Sequence, residues 1–258
     1  MNKMIAVTLS LSLCSGGVMA EIGSQTGELS YSDIQAVSPA LANYSNAQLA
    51  GDLWKRNDLT PRDRSLITLA SVIARGQNIL LQEQIELALK NGVTPAELSE
   101  TITHLAFYSG WGNALTATAA AKEIFISHAI NAGQLPQAEG DLLPLEKKSE
   151  ANRAARVENN IGATAPGLVQ DTTEVLFKDL WLRPGLAPRD RSLVTVSALI
   201  TNGQAQQIPV HLNKAMDNGL TRQQASGVVS HLAYYAGWPN AFSAASVFKT
   251  VFEQRESK

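Results

Sequence analysis

The sequence predicts an all-α fold made of two tandem copies of one helical unit. The first observation behind this is an internal repeat. The run Leu59–Thr68, LTPRDRSLIT, returns over Leu186–Thr195 as LAPRDRSLVT, and His104–Ala114, HLAFYSGWGNA, returns over His231–Ala241 as HLAYYAGWPNA. Both pairs share an offset of 127 residues (186 − 59 and 231 − 104). The same offset carries Pro39 to Pro166, Trp54 to Trp181, Gly76 to Gly203 and Asn91-Gly92 to Asn218-Gly219, with no gap. The second observation is that each copy is punctuated by helix start and stop residues. The third is that β-branched residues fall at helical spacing with no sustained alternation, so strand signals are weak.

The elements follow in order. An early helix over 39–54 leads to Trp54. Thr60 caps the next helix, with Pro61 at its first position and Asp63 three residues after the cap. Its apolar run passes through Leu66, Ile67, Leu69, Ala70 and Ile73 and stops at Gly76. A helix over 78–91 ends at Asn91-Gly92, a good C-terminal cap pair. Thr94-Pro95-Ala96-Glu97 reads as a capping box opening a third helix, which ends near Gly110. An Ala-rich helix follows over 112–131. The second copy repeats these signals, with helices over 166–181, from Pro188 to Gly203, over 205–218, from Thr221 to Gly237, and from Pro239 onward. Gly133, Pro136, Gly140 and Pro144 punctuate the polar join between the copies. The expected organisation is a leader over 1–20, a first repeat over 21–132, a linker over 133–152 and a second repeat over 153–258.

Composition excludes several classes. The chain has 258 residues, 45% of them hydrophobic, so it is neither disordered nor collagen-like. Its net charge is −2, which leaves no basic excess for phosphates, so no nucleic-acid partner is expected. Charged residues make up only 17%, against roughly 25% in typical soluble domains. That scarcity, with the Ala-rich final helices, predicts a homo-oligomer that covers apolar helix faces.

Lys3, the apolar stretch Ile5–Leu13 and Val18-Met19-Ala20 read as a secretory signal cut after Ala20. A lipid anchor on Cys14 is disfavoured by the bulk of Leu13. The expected location is periplasmic or secreted, with no membrane span after cleavage. Cys14 is the only cysteine and leaves with the leader, so the mature chain can do no thiol chemistry. No metal site and no cofactor is expected.

Two imidazoles stand out as candidate acid–base groups. His211 shares a helix face with Ile208, Leu212 and Ala215, and His231 lies on the following helix beside Val228, Leu232 and Tyr235. The short Asn218-Gly219 turn predicts neighbouring helices and one shared pocket. Trp238 and Asn240 would form its rim. His211 maps onto Gln84 in the first copy, so the second copy is the better catalytic candidate. Arg189 and Arg191 sit in a first helical turn, where cations oppose the helix dipole. They read either as ion-pair partners or as a guanidinium fork for a substrate carboxylate.

The runs from Arg189 to Thr195 and from His231 to Ala241, with His211 and Asn218-Gly219 between them, resemble the carboxymuconolactone decarboxylase family. The resemblance covers both copies. It implies small all-helical units that assemble into rings of three or six, so a trimer of this chain would supply six units. One branch of the wider group, like alkylhydroperoxidase D, reduces peroxides with a Cys-x-x-Cys pair. Those positions are Gln204 and Gln207 here, and a Glu of that branch is replaced by Ser192, so thiol peroxidase chemistry is excluded. The other branch is a lyase. It implies His211 and His231 as general acid/base groups and Arg189, Arg191, Trp238 and Asn240 as binding groups for a small carboxylate or lactone. An acid of that branch is Gln207 here. The alternative is a non-catalytic, ring-forming small-molecule-binding protein.

Overall fold

The computed structural model describes residues 30–257. The expected leader and Cys14 lie outside them. Among the described residues there is no strand, and no helix is long and apolar enough to cross a membrane. Two compact units are present, the first ending at Lys55 and the second starting at Arg56.

The first unit contains α1 (Tyr31–Val37) and α2 (Pro39–Tyr44). α1 is opened by a capping box between Ser30 and Asp33. The sequence predicts one helix over 39–54. The observed chain instead widens into a π-helical turn at Ser45–Ala50, where Gly51 N–H donates to Asn46 O.

The second unit contains both repeated four-helix sets. The first set is α3 (Pro61–Ala74), α4 (Asn78–Lys90), α5 (Pro95–Ser109) and α6 (Trp111–Ser127). A joining helix α7 (Lys147–Ile161) begins inside the punctuated stretch, and α8 (Pro166–Asp171) runs into a π-helical turn at Thr172–Phe177. The second set is α9 (Pro188–Thr201), α10 (Ile208–Asp217), α11 (Arg222–Ala236) and α12 (Trp238–Glu256). The caps are those the sequence predicts. Thr60, Thr94 and Thr221 each accept the backbone N–H three residues on. Gly76, Gly92, Gly110, Gly203, Gly219 and Gly237 all take positive φ, a region where a Cβ is strained. α10 starts three residues later than its counterpart α4, because Pro209 is tolerated only in a first helical turn. Ala205–Gln207 therefore form a 3-10 turn.

α3 and α9 lie at the centre and pack on each other. Nearly every residue from Asp63 to Ala74 and from Asp190 to Thr201 is buried. The apolar core runs from Leu59 to Phe252 and draws on both repeats, with each fully buried Leu or Ile contributing roughly 1.5–3 kcal/mol. Buried hydroxyls in these helices are satisfied locally. Ser197 and Thr201 donate to carbonyls one turn back, and the Thr201 and Ser71 hydroxyls meet at 2.9 Å.

The outer helices cross over. α5 of the first repeat packs on α9 of the second, and α11 of the second packs on α3 of the first. The two four-helix sets are therefore one folded body with an approximate internal two-fold relation, and this crossing builds the site.

Candidate functional site

At the two-fold centre the helix starts exchange ion pairs. Arg189 grips Asp63 with both terminal nitrogens, at 3.0 and 2.6 Å, and Arg62 reaches Asp190 at 2.8 Å. This offsets the dipole penalty of placing cations there. Arg189 thus holds the repeats together, and the ion-pair reading of the two open at the sequence level is the one found. Its paired carboxylates push its pKa further up.

Arg64 and Arg191 lie two residues further on and are fully buried. Arg191 donates to Arg183 O at 2.7 Å and to Glu100 at 2.9 Å. Arg64 donates to Arg56 O at 2.7 Å and to Asp58. The two acids occupy different positions in the repeat. Asp58 corresponds to Gly185, and Glu100 corresponds to Gly227. A Cβ on Gly227 would fall 2.8 Å from Asp58 Oδ2, and one on Gly185 would fall 2.7 Å from Glu100 Cγ. Each buried guanidinium therefore has one acid, supplied from either of two facing positions, with a glycine opposite to make room.

Each of these arginines also orients an imidazole. Arg64 Nη1 is 3.1 Å from His231 Nδ1, and Thr68 Oγ1 is 2.7 Å from His231 Nε2. Guanidinium only donates, so Nδ1 accepts and the ring proton sits on Nε2, facing the threonine. The other repeat copies this arrangement. Arg191 Nη1 is 3.4 Å from His104 Nδ1, and His104 Nε2 is 2.7 Å from Thr195 Oγ1, which itself donates to Arg191 O. Burial, with the adjacent guanidinium next, pushes His231 down to about 3 and His104 well below its ordinary value. Both rings are neutral and have both nitrogens engaged.

His211 is different. It stands between Trp181, stacked at 5.5 Å, and Tyr108, edge-on at 5.5 Å. Tyr108 also stacks on His104 at 4.7 Å, and Trp181 meets His104 edge-on at 5.3 Å. Trp181 Nε1 donates to the Tyr108 hydroxyl at 2.9 Å, which leaves the phenolic proton available to donate. His211 Nδ1 is buried with no hydrogen-bond partner. Burial, with Lys214 second, holds the ring at about 4. Gln84, at the equivalent place in the first repeat, likewise buries an unpartnered Oε1. Related positions in the two repeats thus each bury a polar atom that no protein group satisfies.

The expected sharing of one pocket by His211 and His231 is therefore corrected. α10 packs on α9 and α12, whereas α11 packs on α12, α3 and α9. His231 faces Arg64 and Thr68, and His211 faces Tyr108 and Trp181. A short connection does not force contact when the later helix is drawn across to the other repeat. Asn240 donates to Thr201 O at 2.9 Å and Ala236 O at 3.2 Å, tying off two helix ends as Asn113 does in the first repeat. Trp238 is half-exposed and meets Tyr234 edge-on at 5.0 Å. Arg191 lies behind His104, locked to Glu100. His104, Tyr108, Trp181 and Glu100 are the residues that sequence reasoning missed. The offset of 127 contained the signal, since His104 and Tyr108 duplicate His231 and Tyr235.

Comparisons with known proteins match both repeats. The model of the carboxymuconolactone decarboxylase family matches residues 39–123 and again 166–250. Over 75 residues, 29% of this chain and 56% of the relative, it is 33% identical to 4-carboxymuconolactone decarboxylase of Acinetobacter baylyi. Over 72 residues, 28% of this chain and 50% of the relative, it is 33% identical to nitrosuccinic acid decarboxylase of Metarhizium robertsii. The matched stretch spans about half the length of each relative. A crystal structure from Burkholderia xenovorans, provisionally described as a gamma-carboxymuconolactone decarboxylase subunit, aligns with a TM-score of 0.49 at 18% identity, covering 87% of this chain and 91% of that one.

Proposed function

The chain belongs to the carboxymuconolactone decarboxylase family, and from that premise we propose that it is a carboxy-lyase acting on a small acidic lactone or related carboxylic acid at the Tyr108–Trp181–His211 site. The observation that carries the reading is the buried, unpartnered nitrogen of His211 between two aromatic rings. Loss of carbon dioxide breaks one carbon–carbon bond and sends its electron pair into the conjugated acceptor of the substrate. The oxygen that gains charge needs a donor, and in this reading the Tyr108 hydroxyl supplies it. The carbon left behind needs a proton, and His211 is the group to give it.

His211 is neutral at pH 7 in the free protein, with its pKa down at about 4. A bound anion offsets the burial that disfavours the imidazolium, so proton and substrate enter together. The substrate carboxylate and the imidazolium, which is aimed at the carbon and not paired with the departing group, then become carbon dioxide, protonated product and neutral imidazole. Anion binding at pH 7 is expected to take up a proton, seen as a calorimetric heat that changes with the ionisation enthalpy of the buffer. Buffer-independent heat would count against this role. The reading itself is tested by incubating the protein with γ-carboxymuconolactone and related acidic lactones. Carbon dioxide release with loss of ultraviolet absorbance is expected, and binding without release would favour the non-catalytic alternative.

Assembly into a homo-oligomer is part of the same proposal. Phe107, Trp111 and Leu115 are exposed on α5 and α6, and their equivalents Trp238 and Phe242 are exposed beside Tyr234 on α11 and α12. Two matching apolar patches of this kind favour contacts between copies. The paired substitution Trp111→Glu, Trp238→Glu is expected to reduce the mass found by light scattering to that of one chain. An unchanged mass would place the contact elsewhere.

A further inference from the structure

Lys214 lies one turn after His211 on α10 and is half-buried. Its Nζ sits 4.4 Å from the Trp181 ring and 5.7 Å from the Phe177 ring. Among the described residues no carboxylate pairs with it. Glu150, whose charge reaches it from α7, is already taken by Arg153, at 2.8 and 2.6 Å. Arg153 lies over Phe177 at 4.3 Å and keeps Nη1 buried without a partner. The ring stack Phe177–Trp181 that ends on His211 therefore carries two cations and one carboxylate. The first repeat has Leu87 where the second has Lys214, Gln84 for His211 and Ala50 for Phe177, so this charge is confined to one of the two related sites.

We propose that Lys214 holds a second acidic group of the substrate, the one that stays in the product. The inference rests on the carboxy-lyase reading. An ammonium paired with the departing carboxylate would stabilise the ground state more than the transition state, in which that charge has moved away, and would slow its loss. The departing group belongs on the Tyr108 side of His211, and the unpaired ammonium over Trp181 selects a different group on the same molecule. Lys214 would thus decide which of the substrate's acidic groups is retained, at one site per chain.

Isothermal titration with succinate and with butyrate separates the two roles, because neither probe needs to react. Succinate is expected to bind the intact protein with one site per chain. Lys214→Met should weaken succinate at least tenfold and leave butyrate unchanged, while Lys214→Arg should retain succinate binding. Unaltered succinate affinity in Lys214→Met, equal losses for both acids, two succinates per chain, or no succinate binding to the wild type would each overturn the proposal. Succinate binding that depends on Lys214, found together with no carbon dioxide release from any acidic lactone, would support the anion site and count only against the lyase reading.

Discussion

Replacing Glu100 with glutamine is expected to destabilise the protein by about 3–5 kcal/mol. Glu100 pairs with Arg191 at 2.9 Å and with Arg183 at 2.7 Å, and both Glu100 and Arg191 are almost wholly excluded from water. Removing one partner of a buried pair strands the other charge, and the loss comes mostly from that stranded guanidinium. Asp58→Asn should cost less, because the Asp58 side chain is 23% exposed and water can compensate. Urea unfolding monitored by circular dichroism measures both. A loss below about 1 kcal/mol in Glu100→Gln would contradict the role given to the pair. The facing-glycine arrangement makes a sharper prediction. Asp58→Gly with Gly227→Glu moves the acid of the first site to the position it occupies in the second, so the double variant should be more stable than Asp58→Gly alone.

Acid should destabilise the fold well above the carboxylate range. An unfolded imidazole titrates near 6.5. In the folded protein His211 is held at about 4, His231 at about 3 and His104 well below its ordinary value, each chiefly by burial. Between these limits the unfolded chain binds more protons than the folded one, so stability rises with pH. The contribution is fully present above about pH 6.5 and is lost as pH falls toward the folded values. Between pH 7 and pH 5 His211 and His231 should each forfeit roughly 2 kcal/mol, and His104 adds to the fall in the same direction. Urea unfolding at the two pH values should show a clear fall in stability, with proton uptake on unfolding at pH 5. Equal stability at pH 7 and pH 5 would mean that the rings are not held neutral by the fold.

Much of the fold was legible because helix caps act locally. Thr60, Thr94 and Thr221 need only a backbone N–H three residues away, and Gly92 and Gly219 need only freedom at positive φ. The duplication was legible because it preserves spacing. The π-helical turns at Ser45–Ala50 and Thr172–Phe177 were not, since apolar periodicity does not separate i→i+4 from i→i+5 pairing. The site was only partly legible, for a topological reason. His211 could be named from its chain position, but its neighbours Tyr108 and His104 arrive on α5, about a hundred residues earlier, through a crossing of helices between repeats. Nearness along the chain instead suggested His231, which the same crossing carries to Arg64. The arginines illustrate a related limit. A cation in a first helical turn signals that a partner exists, and only the packing of α3 on α9 shows that Arg189 meets Asp63.

The most direct test of His211 as the proton-delivering group is the rate of carbon dioxide release by His211→Gln, which copies into the second site the residue that Gln84 supplies in the first. Glutamine can form hydrogen bonds but cannot deliver a proton near neutral pH. The variant should keep its helical circular dichroism and lose turnover by roughly 10²-fold or more. Turnover equal to that of the wild type, in a variant that folds and binds the same acids, would contradict the assignment of His211.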